Sequence, residues 1–261
     1  MKSVEATATA SGRRHGFARE AVAPARRAAY DVELAGCRIR IVSEERVRLF
    51  FADYLAMNRD GTPAFVVEEP TEEDMAREGL PDTWADRLRV LHERLCGNLL
   101  PHDILLFHGS VIAVDGKAYL FTAKSGTGKS THTRLWREAF GQRAVMINDD
   151  KPLLRVGEGG VTAYGTPWNG KHRLGGNLSA PLKALCVLTR DERNHIERIT
   201  LEDAFPMLFQ QCYQPEQAEK IPRVLTLLER LGKTVGLYRL GCNMEPEAAI
   251  ISYQGMQEEE T

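Results

Sequence analysis

The chain has 261 residues, 43% of them hydrophobic, enough to bury one sizeable core or two modest ones. Its formal net charge of −2 argues against a nucleic-acid-binding surface. No apolar run approaches the ~18 residues of a membrane span. The five cysteines (Cys37, Cys96, Cys186, Cys212, Cys242) are scattered without a Cys-x-x-Cys pair and read as reduced thiols of a cytoplasmic protein.

Residues 1–29 are rich in alanine and carry more basic than acidic side chains, as expected of a disordered extension. From Tyr30 the pattern becomes structured. Cys37, Ile39 and Ile41 alternate with Arg38 and Arg40, which predicts a half-buried strand. A helix is expected over 44–56 and a short strand over 64–68. Trp84, Leu88, Leu91 and Leu95 fall at helical spacing behind a cap at Asp82 or Thr83. Residues 30–100 thus read as a small α+β module that carries no chemistry of its own and gives structural support to the larger C-terminal unit, with acceptor binding or assembly as the alternative role.

Residues 101–256 read as that main unit, and 257–261 as a frayed tail. Apolar runs at 104–107, 111–114 and 117–121 flank His108-Gly109-Ser110 and then Asp115-Gly116. Asp-Gly between two apolar runs signals a hairpin, so the last two runs should pair antiparallel. Further on, strands are expected at 181–188, 196–199 and 235–240. Thr200 with Asp203 predicts a capped helix through Gln211, and further helices are expected over 215–231, stopped by Gly232, and over 246–253. The sum is a mixed α/β sheet with helices packed on it, without internal repeats.

The chemistry concentrates at 123–130, which reads Ala-Lys-Ser-Gly-Thr-Gly-Lys-Ser and fits the phosphate-loop pattern [AG]-x-x-x-x-G-K-[ST]. It lies between an apolar strand and a helix predicted over 131–140. Glycines let backbone N–H groups turn toward phosphate oxygens, and the helix N-terminus adds its positive dipole end. Ser125, Gly126, Thr127, Gly128, Lys129, Ser130 and Thr131 are therefore the candidate nucleotide-binding residues. Lys129 would reach the β/γ-phosphates and Ser130 would ligate Mg²⁺.

One helix later the strand 144–150 ends in Asn148-Asp149-Asp150. Carboxylates at a strand end beside a phosphate loop suit a second metal-binding element, and two of them can divide metal ligation from proton acceptance. Segment 164–177 gathers Trp168, Lys171, His172 and Arg173 among Gly165, Gly170, Gly175 and Gly176, a candidate acceptor site. A cation there could neutralise phosphoryl charge, and Arg190 at a strand end is a second candidate. His132, His172 and His195 lack metal-ligand spacing, so zinc is not expected.

His108-Gly109, the 125–130 loop and Asp149-Asp150 together resemble the catalytic core of the HPr serine kinase/phosphorylase family, over roughly residues 100–256. That family shares its nucleotide-binding fold with phosphoenolpyruvate carboxykinases. Tyr164 to Lys171 also resembles a segment of small HPr-kinase-like bacterial proteins. The resemblance implies a mixed-sheet phosphate-loop fold, with Asp149 as the base, Asp150 and Ser130 on Mg²⁺, His108 near the transferred phosphate, and Lys171 on the acceptor side. The glycine- and asparagine-containing signature that HPr kinases carry late in the chain has no counterpart, so the resemblance implies the reaction type and leaves the acceptor open.

The expectation is therefore an Mg²⁺-dependent kinase using ATP, rather than GTP, on a hydroxyl of a small molecule or of a peptide or protein serine. A homo-oligomer is compatible with this reading, and no nucleic-acid or membrane partner is expected. The alternatives are a non-catalytic ATP-binding regulatory or assembly protein and a carboxykinase-like metabolic enzyme. Paired aspartates with His108 favour a kinase, because binding alone needs no base.

Overall fold

The computed structural model describes residues 26–58 and 61–257. The extension expected over 1–29 lies outside them as far as residue 25, as do residues 258–261 of the expected tail. Strand pairing begins at Ala28, slightly ahead of Tyr30. β1 (Ala28–Leu34) and β2 (Cys37–Ser43) form an antiparallel hairpin, and β3 (Phe65–Glu68) joins β2 in parallel. The alternation predicted for β2 is present: Cys37, Ile39 and Ile41 are buried, while Arg38 and Arg40 turn onto Asp31.

The helix expected over 44–56 is broken in two. α1 (Glu45–Phe50) ends where Phe51 leaves helical geometry (φ −96°, ψ 13°), and one 3-10 turn follows at Ala52–Tyr54. The break lets Val47, Phe51 and Tyr54 all enter one core. α2 (Glu72–Arg77) has no counterpart among the expected elements; Thr71 and Asp74 cap it reciprocally. α3 (Trp84–Leu99) starts behind Thr83, whose Oγ1 accepts the Asp86 amide. Its Leu91, Leu95 and Leu99 share a core with Val32, Ile39 and Ile41.

The remaining strands build one mixed sheet. They are β4 (Ile104–Leu106), β5 (Ser110–Val114), β6 (Lys117–Thr122), β7 (Ala144–Asn148), β8 (Leu153–Val156), β9 (Val161–Tyr164), β10 (Ser179–Arg190), β11 (His195–Arg198) and β12 (Gly236–Cys242). The path runs β4-β8-β9-β10-β6-β5-β7, with β12 beside β10 and β11 beside β12. β5 and β6 pair antiparallel around Asp115 (φ 51°) and Gly116 (φ 76°). Two successive positive-φ residues are the turn geometry that Asp-Gly favours. β6 then runs parallel to β10, which makes the sheet mixed.

Helices cover both faces. α4 (Lys129–Phe140) and α7 (Glu247–Gly255) pack on one, α5 (Leu201–Gln211) and α6 (Ile221–Thr234) on the other. β6 divides its side chains accordingly: Tyr119 and Phe121 join Trp136 and Ala248, whereas Leu120 joins Leu208 and Leu227. This is the period of two that a strand buried on both faces must show. α6 begins only at Ile221 and runs through Gly232, the residue expected to stop it. A Cβ there would lie 2.7 Å from Leu201 Cδ1, so glycine serves the close approach of α6 to α5 instead. All five cysteines are unpaired, and no helix among the described residues is long and apolar enough to cross a membrane.

A buried polar knot ties α4 to α7. Trp136 Nε1 donates to His132 Nε2 at 3.1 Å and to Ser252 Oγ at 2.9 Å. Burial pushes the His132 imidazole down to about 4, and a proton on Nε2 would also oppose the indole donor. An unfolded histidine protonates near ~6.5, so between those values the unfolded chain binds the extra proton. Stability is therefore expected to fall as pH drops through that window, with His92, also held down at about 4, adding the same sign. Thermal melts across the window should show a declining Tm that His132→Gln flattens. An equally steep decline in the variant would count against the assignment.

Candidate functional site

The loop at 123–130 leaves β6 through buried Ala123 and closes into α4 at Gly128. Gly126 (φ 77°) and Gly128 (φ 130°) adopt backbone conformations that side chains resist. Nothing lies within 4 Å of a Cβ built on either, so conformation rather than crowding demands glycine. The N–H groups opening α4 have no carbonyl before them within the helix and are free for an anion. Ser125 and Ser130 are exposed, and Thr131 is half-buried. Lys129 Nζ folds back onto Ala123 O at 3.1 Å. Burial pushes its ammonium below the ordinary lysine value; Asp150 opposes that shift and Lys151 adds to it. Arg190 clamps the loop from β10, donating to Gly126 O at 2.7 Å and to Thr127 O at 3.5 Å.

The aspartate turn is held by Asn148, which is fully buried. Its Oδ1 accepts the amides of Asp150 at 2.9 Å and Lys151 at 2.7 Å, while its Nδ2 donates to Thr166 O and Thr166 Oγ1, both at 3.2 Å. Asp149 is 9% exposed, and its Oδ1 accepts the Gly170 amide at 2.7 Å. Asp150 lies 3.3 Å from His108 Nε2. Burial pushes the Asp150 carboxyl up, but the His108 hydrogen bond and the charges of Lys151 and Lys129 outweigh it, so the group ends below its ordinary value.

His108 is positioned from three sides. Its amide donates to Gln211 O, its carbonyl accepts Thr122 Oγ1, and the next amide, Gly109, donates to Asp150 O at 3.0 Å. The start of β5 is thereby stitched to the end of β7, and this brings His108 and Asp150 together beside Lys129, while the neighbouring Asp149 turns onto Gly170.

Segment 164–177 folds back on the same turn. Gly176 N donates to Ile147 O, and a Cβ at Gly175 would lie 2.1 Å from Asn169 Oδ1. Trp168 reaches across to the N-terminal part of the chain, with its ring 5.5 Å from Phe50, 5.4 Å from Phe51 and 4.4 Å from His92. Lys171 and His172 are exposed on a turn closed by Arg173 N on Gly170 O, and no contact joins Lys171 to the loop. The cation beside Asp150 is Lys151, which in the sequence presents itself only as turn chemistry. Asn148 likewise reads in the sequence as no more than part of a strand end, and His92 as one more residue of α3.

Between these two parts opens a cleft of about 710 Å³. It is lined by Asp150, Lys151, Trp168 and Asn169 together with Phe50 of α1 and Trp84 and His92 of α3. Burial, with a contribution from Lys151 and against Asp150, keeps His92 neutral. Among the described residues no three His, Cys, Asp or Glu side chains gather to hold a metal unaided. Ser130 and Asp150 are hard oxygen donors of the kind Mg²⁺ takes alongside nucleotide phosphates, so they fit that ion.

No family model matches the chain, and no curated protein does. Among solved structures it is similar to the HPr(Ser) kinase/phosphatase from Coxiella burnetii, with 8% identity, 58% of this chain and 96% of that chain covered, and a TM-score of 0.32. A likeness that distant assigns no role to any residue.

Asn148→Ala should leave the Asp150 and Lys151 amides of the turn without their acceptor and cut the tie to Thr166, costing about 2–3 kcal/mol of stability. Denaturant unfolding measures that cost. A loss under about 0.5 kcal/mol would mean that the turn does not depend on the amide.

Proposed function

We propose that the protein is an ATP- and Mg²⁺-dependent kinase that transfers the γ-phosphoryl group to a hydroxyl acceptor, a small molecule or a serine. One observation carries the reading: His108 and the buried Asn148 turn hold the Asp150 carboxylate beside the lysine of a phosphate-loop sequence, with a second carboxylate, Asp149, next to it in the same turn. A protein that only sensed nucleotide would need the loop and no proton acceptor.

In this reading the α4 amides and Lys129 take the phosphates, with Lys129 exchanging the neutral Ala123 carbonyl for an anion. Arg190 keeps the loop carbonyls turned away from the ligand. Asp150, held anionic, joins Ser130 as the Mg²⁺ donor set; when bound there, the metal neutralises charge on the transferring group. Asp149 has one oxygen fixed by Gly170 and the other left to accept the hydroxyl proton. The acceptor oxygen bonds to the γ-phosphorus, the bond to the bridging oxygen breaks, and ADP leaves with the electron pair. Lys171 follows Gly170 directly and supplies positive charge on the acceptor side.

Lys129→Ala is expected to weaken ATP–Mg²⁺ binding by about 100-fold or more while leaving the fold intact, since the side chain contacts only a loop carbonyl. Calorimetry that returns unchanged affinity would sink the phosphate-loop assignment.

Asparagine at each aspartate separates their roles. Asp150→Asn should weaken metal–nucleotide binding and turnover together. Asp149→Asn should spare binding and lower turnover by about 10²–10⁴-fold, as proton acceptance matters only in the transition state. If both variants keep transfer within about threefold of wild type, the pair is a structural turn.

A further inference from the structure

The cleft beside Asp150 has the volume of a small-molecule site, within the ~300–1,000 Å³ that such sites occupy. Its chemistry is divided. Flat apolar surface comes from Trp168, Phe50 and Trp84, and the Trp84 ring is held in place by Arg46, whose guanidinium carbon lies 4.0 Å from its centroid. His92 packs tilted against Trp168, and its Nε2 is shut off from solvent without any hydrogen-bond partner among the described residues. An unpartnered buried nitrogen costs stability that a bound polar group can recover.

The charges facing the cleft are unequal in their engagement. Arg89 is taken up by Glu93 at 3.1 Å, and Asp150 by His108. Lys151 and Arg173 line the cleft with no carboxylate within 4.0 Å among the described residues; the carboxylates that share the lining are Asp150, which Lys151 faces electrostatically, and the exposed Asp53. A ligand that spans the aromatic wall and ends on those two cations should therefore be anionic at one end.

Resting on the kinase reading above, we propose that this cleft is the acceptor site and that the acceptor is a small alcohol with a flat apolar body and a carboxylate. The apolar body lies against the wall formed by Trp168, Phe50 and Trp84, the carboxylate meets Lys151 and Arg173, and the hydroxyl is presented toward Asp149 and Asp150. That hydroxyl gains the phosphoryl group, ATP becomes ADP, and the proton leaves on Asp149. Residues of α1 and α3, which carry no chemistry by themselves, thereby set acceptor choice.

The probe is 3-phenyllactate, which has an aromatic ring, an alcohol and a carboxylate; 2-phenylethanol is the control that lacks the carboxylate. Trp84 and Trp168 line the cleft while Trp136 is buried in the α4–α7 core, so intrinsic fluorescence without nucleotide reports occupancy. Saturable quenching by phenyllactate is expected, with binding about tenfold weaker for phenylethanol. Arg173→Glu should weaken phenyllactate about fivefold or more through charge reversal at an exposed residue. His92→Phe keeps the ring on Trp168 and removes the nitrogens; it should weaken phenyllactate about fivefold as well.

ATP–Mg²⁺ affinity, measured in parallel by calorimetry, should stay within about twofold in both variants. Absent quenching, equal affinity for the two probes, or no effect of either variant would overturn the assignment. So would a blocked serine tetrapeptide that binds more tightly than phenyllactate. Failure of wild-type protein to bind ATP would count against the kinase reading instead, since the fluorescence arm needs no nucleotide.

Discussion

The side-chain amide of Asn148 sits where the end of β7, the aspartate turn and segment 166–169 converge, and it has no solvent to fall back on. A buried amide must find partners for its donors and its acceptor, and here each partner belongs to a different part of the site. Its oxygen bends the chain so that Asp149 points under Gly170 while Asp150 points toward His108. Its nitrogen draws Thr166 inward, and Thr166 Oγ1 in turn donates to Lys151 O at 2.7 Å. Satisfied in this way, the network fixes carboxylate directions that two neighbouring aspartates on a free loop would not keep.

Around that turn the charges are arranged in advance of any ligand. Lys129, Lys151 and His108 surround Asp150 closely enough to overcome the cost of its burial. The two lysines repel one another across it, which under the proposed kinase reading would lower the cost of handing one of them to a phosphate. Arg190 faces the opposite problem: the carbonyls of Gly126 and Thr127 would repel an anion, and the guanidinium holds them on its own side. Preorganisation of this kind is where electrostatic stabilisation gains most, because no reorientation is left for the moment of reaction.

Much of this is legible in the chain because local rules govern it. The Asp115-Gly116 hairpin, the strand–loop–helix around Gly126 and Gly128, and the Thr83 and Thr200 caps depend on residues within a few positions of each other. The β8–β9 hairpin escapes notice because Leu153 to Val156 is short and its partner strand follows a glycine-rich turn. Gly232 misleads because helix punctuation and helix packing use the same residue, and only the position of Leu201 tells them apart. The roles of Lys151 and His92 are hidden for a different reason. Each acquires meaning from a residue far along the chain: His108, which pairs with Asp150 next to Lys151, in one case and Trp168 in the other.

Trp168 is the aromatic side chain through which segment 164–177 meets Phe50, Phe51 and His92. The two walls of the cleft therefore belong to stretches of sequence that can drift independently. Substitutions on the outer faces of α1 and α3 can reshape one wall while the loop, the Asn148 turn and His108 stay untouched. If the cleft holds the acceptor as proposed, such an arrangement lets selection, or an engineer, retarget the molecule by rewriting one short helix and one face of another. The hydrogen bonds around Asn148 and His108 would stay as they are throughout.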